Sequence, residues 1–278
     1  MKRLLKVSPD KNHQALFQPG GDSSRWLGLE VLRIDGGSDW KGELGDREGV
    51  LVILCGRLSV AIETGETMEW KDLGERADGF GGRPTAVYLP RRSRVRVRAE
   101  SSAEAVLASA PCDTDLPAAR IAPEDVKLIS SGEANWRRDV RLVVPPGSYV
   151  TQRLIVGETV NPPGNWSGIP PHKHDESSAK ENFLEEFYLY KTRPSDGFGI
   201  QLTYRKGEEE ACFVKDNDVV LFQSGYHPTV AAPGVAVYYL WVLAGRKKDY
   251  NLSIDERFSW VPSAEAVLKE LKKAQSSM

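Results

Sequence analysis

The sequence predicts an all-β protein, two tandem β-barrels followed by a short C-terminal helix. Three observations carry that prediction. Short apolar or alternating runs, punctuated by glycine and proline, recur along almost the whole chain. The two halves echo each other, and only the last stretch has helical spacing. Many short strands at such intervals make a sandwich or barrel rather than an α/β fold.

Residues 26–34 (WLGLEVLRI) read as a strand ended by Gly36-Gly37. Residues 49–54 (GVLVIL) form a continuous buried run broken at Gly56, and residues 57–63 return as its hairpin partner. Residues 86–89 lead into Pro90. In residues 93–99 (SRVRVRA) arginine alternates with valine, the pattern of one solvated and one apolar face rather than a phosphate patch. Residues 110–123, with three prolines and little periodicity, are the expected linker. They divide the chain into domains 1–122 and 123–278.

Strands of the second half are expected at 140–144, 149–156, around His172 and His174, and at 186–191, 199–204, 211–214, 218–222 and 235–244. Pro194-Ser195-Asp196-Gly197 marks a hairpin. Pro262-Ser263 can start a helix, with Val267, Leu268 and Leu271 at helical spacing. Residues 47–52 match 185–190 in character, and 86–90 match 218–222. The first half has no histidine at the corresponding places. Two copies of one barrel are therefore expected, the first a degenerate copy without metal ligands.

A chain of 278 residues allows one large domain or two ordinary ones. With 37 basic and 39 acidic residues, net charge −2, nothing suggests a nucleic-acid footprint or a membrane-seeking face. Cys55, Cys112 and Cys212 are odd in number and widely spaced, which fits reduced thiols in a cytoplasmic protein. Residues 1–9 carry the charge of a signal peptide without its apolar stretch, and no window approaches bilayer length. A homo-oligomer is compatible with the chain.

Four histidines are present, and three of them (His172, His174, His227) fall in one region. On an extended segment His172 and His174 project from one face and Lys173 from the other. With a carboxylate from a later strand they offer the nitrogen and oxygen donors that a divalent transition metal takes. Glu186 is the expected fourth ligand, with Glu185 as its rival. Parity groups Glu186 with Tyr188 and Tyr190 on one face, and Glu185 with Phe187 and Leu189 on the other. His227 lies in a tight Ser224-Gly225-Tyr226-His227-Pro228 turn; His13 reads as a surface residue.

An H-x-H, then a Glu, then a His on a later strand resembles the cupin superfamily, whose jelly-roll barrels hold a metal with three histidines and one glutamate. The interval of residues 175–184 before the glutamate is longer than usual there, and only Tyr226 separates Gly225 from His227. Those features, with residues 159–175 (TVNPPGNWSGIPPHKHD), 184–188 (LEEFY), 225–228 (GYHP) and 132–140 (GEANWRRDV), resemble the 5-deoxy-glucuronate isomerase family, bicupins of myo-inositol catabolism. The related 4-deoxy-5-hexosulose-uronate ketol-isomerases are similar at the Glu-x-Tyr-x-Tyr run.

The resemblance implies an aldose–ketose shift of a small-molecule sugar acid, 5-deoxy-D-glucuronate to 5-dehydro-2-deoxy-D-gluconate. It implies a divalent metal ion (Zn, Mn, Fe or Ni) on His172, His174, Glu186 and His227. The metal would polarise a carbonyl, and a base would move a proton between adjacent carbons, unless a hydride shifts directly. Glu185, Tyr188 and Tyr190 are the candidates for catalytic groups. The substrate carboxylate asks for a cation; Arg153 is the first candidate, with Lys173 and Arg205 behind it, and Gln201 is a candidate for sugar hydroxyls. Other readings are the related ketol-isomerase, a bicupin Fe(II) dioxygenase, and a sugar-binding cupin without turnover.

Overall fold

The computed structural model describes residues 2–276. Four of the five sheets among the described residues stack in two sandwiches, and the fifth is a two-stranded pair. In the first half, an inner sheet orders the strands Ala119–Ile121, Ala86–Leu89, Arg47–Cys55, Ala103–Pro111, Gly28–Ile34 and His13–Phe17. Its outer partner holds Asp39–Glu43, Arg94–Ala99, Leu58–Glu63 and Thr67–Leu73. In the second half the inner sheet runs Lys2–Lys6, Asp218–Phe222, Glu185–Arg193, Ala236–Ala244, Ile155–Asn161, Arg138–Val144 and Lys127–Ser131. Trp166–Ser167, Thr229–Ala231, Gly199–Arg205 and Glu208–Val214 face it.

The two inner sheets have the same strand order, with one strand added at the end of the second, so the echo in the sequence is an echo in topology. Each sandwich keeps open edges instead of closing into a hydrogen-bonded barrel.

Strand alternation gives each inner sheet two apolar faces. One set of side chains fills its own sandwich: Leu51, Ile53 and Leu107 in the first, Tyr188, Tyr190, Phe222, Tyr239 and Leu243 in the second. The other set (Val50, Val52, Val106 against Phe187, Leu189, Leu240) joins a single core between the two inner sheets. Phe17 meets Phe187 edge-on across it, centroids 5.6 Å apart.

Polar contacts across the seam are reciprocal. Fully buried Glu48 accepts the backbone N–H groups of Gln152, Arg153 and Leu154 at 2.6–3.0 Å. Glu185 accepts Arg25 N–H, Trp26 N–H and the Ser24 hydroxyl at 2.7–2.9 Å. The strand Lys2–Lys6, which lies within the first half of the sequence, pairs with Asp218–Phe222 of the second. Ala119–Ile121, which precedes the second half, pairs with Ala86–Leu89 of the first. Lys2–Lys6 thus crosses into the inner sheet of the second half, while Ala119–Ile121, within residues 1–122, stays with the first.

Several expected strands occupy other positions. Residues 149–154 are a loop, and the strand begins at Ile155. The cause is Glu48, which takes the N–H groups that a neighbouring strand would have used. Ala103–Pro111 runs into the stretch read as linker, and that stretch contains the short strand Ala119–Ile121. The terminal helix is Val261–Ser276, held by Trp136 Nε1 donating to Glu265 at 2.8 Å and by a Lys272–Glu133 ion pair. No helix among the described residues is long and apolar enough to cross a membrane.

Candidate metal centre

Glu186 lies in Glu185–Arg193, a central strand of the second inner sheet, flanked by Phe222 and Leu243. Strand parity sends its carboxylate into the sandwich with Tyr188 and Tyr190. His174 ends the short segment that starts with the strand His172–Lys173, which pairs with Ser253–Ile254. The interval between His174 and Leu184 closes on itself: Leu184 N–H donates to His174 O at 2.9 Å, and His174 Nδ1 donates to Leu184 O at 2.7 Å. Inside that loop buried Glu181 accepts from Asp175 N, Glu176 N and the Lys173 ammonium.

His227 is set by its turn. Gly225 has φ +94°, and a Cβ there would sit 2.9 Å from Tyr204 O, so the position requires glycine. Gly225 N–H donates to Asp175 Oδ2 at 2.7 Å, tying the turn to the His172–His174 segment. Gln201 Nε2 donates to His227 O at 2.9 Å and Pro228 O at 3.0 Å.

The three histidines share one orientation. His172 Nδ1 lies 3.2 Å from Pro170 O, His174 Nδ1 2.7 Å from Leu184 O, and His227 Nδ1 2.9 Å from Gly225 O. A carbonyl oxygen only accepts, so each Nδ1 carries the hydrogen and each Nε2 keeps its lone pair when the ring is neutral. His174 Nε2 and His227 Nε2 both lie 3.0 Å from Glu186 Oε2. The ligand atoms of His174, Glu186 and His227 all fall within 4.8 Å of one another, and all three residues are at most 4% exposed.

That arrangement fits a cation. Lone pairs of two imidazoles and a carboxylate, turned on each other away from water, repel unless positive charge lies among them. A hydrogen bond satisfies only part of this: His174 bonds Glu186, while His227 Nε2, buried and 3.0 Å from the same Glu186 oxygen, has no hydrogen-bond partner among the described residues.

Burial and charge act differently on each member of the site. Burial alone would raise the Glu186 pKa, but the imidazoles of His174 and His227 hold it down to about 2. Burial opposes charge on His174, and the bond to Glu186 outweighs it and raises its pKa. Burial and then the neighbouring imidazoles push His172 down to about 3, which keeps it a neutral donor.

His172 adjoins the trio, its ring centroid 5.3 Å from His227 and 6.5 Å from His174. It opens onto a cavity of about 320 Å³ lined also by Glu186, Tyr188, Tyr239, Trp241, Tyr250 and Arg138. That volume lies at the small end for ligand sites. A larger groove of about 920 Å³ lies on the first half, around Arg91, Arg92 and Arg94, and contains none of the histidines.

The other expected site residues separate. Tyr188 lines the cavity, its ring 6.1 Å from His227. Burial first, and then the Glu186 charge, raise its phenol well above the ordinary value, so at neutral pH it is protonated and can donate a hydrogen bond. Tyr190 is fully buried behind it and donates to Gln201 Oε1 at 2.5 Å. Gln201, equally buried, spends its amide on the backbone of the His227 turn. Glu185 is on the opposite face of the sheet, capping residues 24–26. Arg153 is at the seam, bound to Pro111 O, Asp113 and Arg246 O, with its guanidinium over Trp26. Glu185 and Arg153 are thus removed from the cavity: parity turns the first away, and the loop at 149–154 carries off the second.

Sequence reasoning missed Arg138, Tyr239 and Trp241. The signal was alternation: Arg138, Val140 and Leu142 share one face of their strand, and Tyr239 and Trp241 share one face of theirs. Tyr239 Oη bonds Ser167 Oγ, and Trp241 Nε1 donates to Thr159 Oγ1 at 3.1 Å, which fixes both rings.

A profile of the KduI/IolB family matches residues 5–261. The 5-deoxy-glucuronate isomerase of Geobacillus kaustophilus is 33% identical over 98% of this chain and 100% of its own. That of Bacillus subtilis strain 168 is 30% identical over 85% of this chain and 88% of its own. Among solved structures, an IolB-like protein from Salmonella typhimurium superposes with TM-score 0.88 at 28% identity, covering 93% of this chain and 98% of that one. An oxalate decarboxylase of Lactobacillus farciminis reaches TM-score 0.62 at 10% identity, covering 90% and 88%, a likeness of fold alone.

Proposed function

The chain belongs to the KduI/IolB family, and from that premise we propose that it is a metal-dependent sugar-acid isomerase. Its reaction is the conversion of 5-deoxy-D-glucuronate to 5-dehydro-2-deoxy-D-gluconate in myo-inositol breakdown. Relatives named 5-deoxy-glucuronate isomerase match nearly the whole chain. The single observation that carries the metal dependence is the buried His174–Glu186–His227 trio with its unpartnered nitrogen.

His174, Glu186 and His227 would hold a divalent ion, with His172 as the fourth donor. Bound there, the ion supplies a Lewis acid for the oxygens of an aldehyde and its neighbouring hydroxyl. The donor set suits Zn, Mn, Fe or Ni alike.

The chain's own groups do the rest. Tyr188, protonated at neutral pH, can donate a hydrogen bond to a substrate oxygen from Oη. Tyr239, Trp241, Val140 and Leu142 make the cavity wall, which limits water around the reacting carbons. Glu186, held ionised by His174 and His227, is assigned to the ion. We further propose two functional units, 1–122 and 123–278, of which the second carries the site and the first backs the strand that bears Glu186.

The test is turnover. Purified protein with added divalent metal should convert 5-deoxy-glucuronate to the ketone acid, followed by proton NMR in buffered water. Conversion of 4-deoxy-5-hexosulose-uronate alone would move the assignment to the related ketol-isomerase.

A further inference from the structure

The cavity beside the histidines is lined by a single cationic side chain among the described residues, Arg138. We propose that Arg138 binds the carboxylate of the substrate and so makes the site specific for sugar acids over neutral sugars. The inference rests on the isomerase reading and adds to it the residue that recognises the acid.

The strand Arg138–Val144 sets the geometry. Arg138, Val140 and Leu142 line the cavity, while Arg137 is tied to Asp139 at 3.2 Å and to Ser130 at 3.0 Å. Arg138 is half-buried and makes no ion pair among the described residues; its recorded bond is Nη1 to Trp136 O at 3.3 Å. A guanidinium in that position has unused donors in a fork that matches a carboxylate.

The other cations considered for this role are already neutralised. Arg153 binds Asp113, Lys173 binds Asp175 and Glu181, and Arg205 binds Asp175 and Glu176. Glu186, the one carboxylate of the lining, is engaged by His174. An incoming acid therefore meets one free partner.

The experiment compares wild type, Arg138→Gln and Arg138→Lys, all metal-loaded. Each is assayed on 5-deoxy-glucuronate and on the analogue with a primary alcohol in place of the carboxylate, and binding of the acid is measured by calorimetry. Losing a charge-assisted pair should lower kcat/KM for the acid by roughly 10- to 100-fold in Arg138→Gln. The loss should fall mainly on KM, with Arg138→Lys recovering part, and the neutral analogue should lose about threefold at most.

Equal losses on both compounds would make Arg138 merely structural and overturn the proposal, as would an unchanged acid substrate. If wild type binds the acid without turning it over, the isomerase reading fails. The Arg138 proposal then stands or falls on whether Arg138→Gln weakens that binding. Wild type that does neither overturns both.

Discussion

Replacing Glu186 with glutamine should abolish metal retention and lower turnover of 5-deoxy-glucuronate by roughly a thousandfold or more. The same replacement at Glu185, one residue earlier, should leave kcat intact. The two carboxylates differ only in which face of one strand they occupy. Glu186 is turned to His174 and His227, at 3.0 Å from each Nε2. A neutral amide there keeps the volume and removes the negative charge that a divalent cation needs. Glu185 instead holds the segment 24–26 of the first half. Its loss should appear as about 1–3 kcal/mol of stability, from charge-assisted bonds lost across the seam. Metal analysis and urea unfolding of the two variants separate the roles. A Glu185→Gln enzyme without activity, or a Glu186→Gln enzyme with full metal, would reverse the assignment.

Arg76→Met should cost about 3–5 kcal/mol, the largest stability effect of a single change expected outside the cores. Glu158 is fully buried on the second inner sheet. Arg76, from the first half, meets it with Nη1 at 2.8 Å and Nη2 at 2.5 Å, and also donates to Ile53 O. Arg141 at 3.2 Å and Tyr238 at 2.8 Å complete the shell. Removing Arg76 leaves the carboxylate buried with its nearest cation gone. Arg141 still pairs with Glu158 in that variant, so adding Glu158→Gln should not recover the loss: it would leave the buried Arg141 guanidinium without its carboxylate. The readout is the shift in urea midpoint at constant slope. A loss below about 1 kcal/mol would show that this network does little to hold the halves together.

What could be read from the sequence follows from alternation. Strands with one apolar face, such as Arg94–Ala99, and continuous ones such as Asp218–Phe222, signal themselves because burial selects their side chains. Asp39–Glu43 and Lys127–Ser131 were missed because both are edge strands and mostly exposed, so no apolar period marks them. Ala103–Pro111 is buried but alanine-rich, which blurs the signal of a strand.

Within the site, parity was sufficient for Glu186, since its strand is regular. The strand expected at 149–156 was misleading for Arg153, because the strand does not begin until Ile155. The capture of residues 152–154 by Glu48 is a contact between distant parts of the chain, which local pattern does not contain. The second halves of His174, Gln201 and Tyr190's roles are of the same kind: they hold the His227 turn and the Glu186 carboxylate through bonds between separate strands.

The central claim is that the buried histidine–glutamate cluster holds the ion on which isomerisation depends. The measurement that tests it most directly is metal content of the purified protein, with turnover of 5-deoxy-glucuronate measured before chelation, after it, and after metal is restored. The account predicts about one divalent ion per chain, activity lost on chelation and regained on reloading. Full turnover in protein stripped of metal, or a failure to take up any divalent ion, would contradict it.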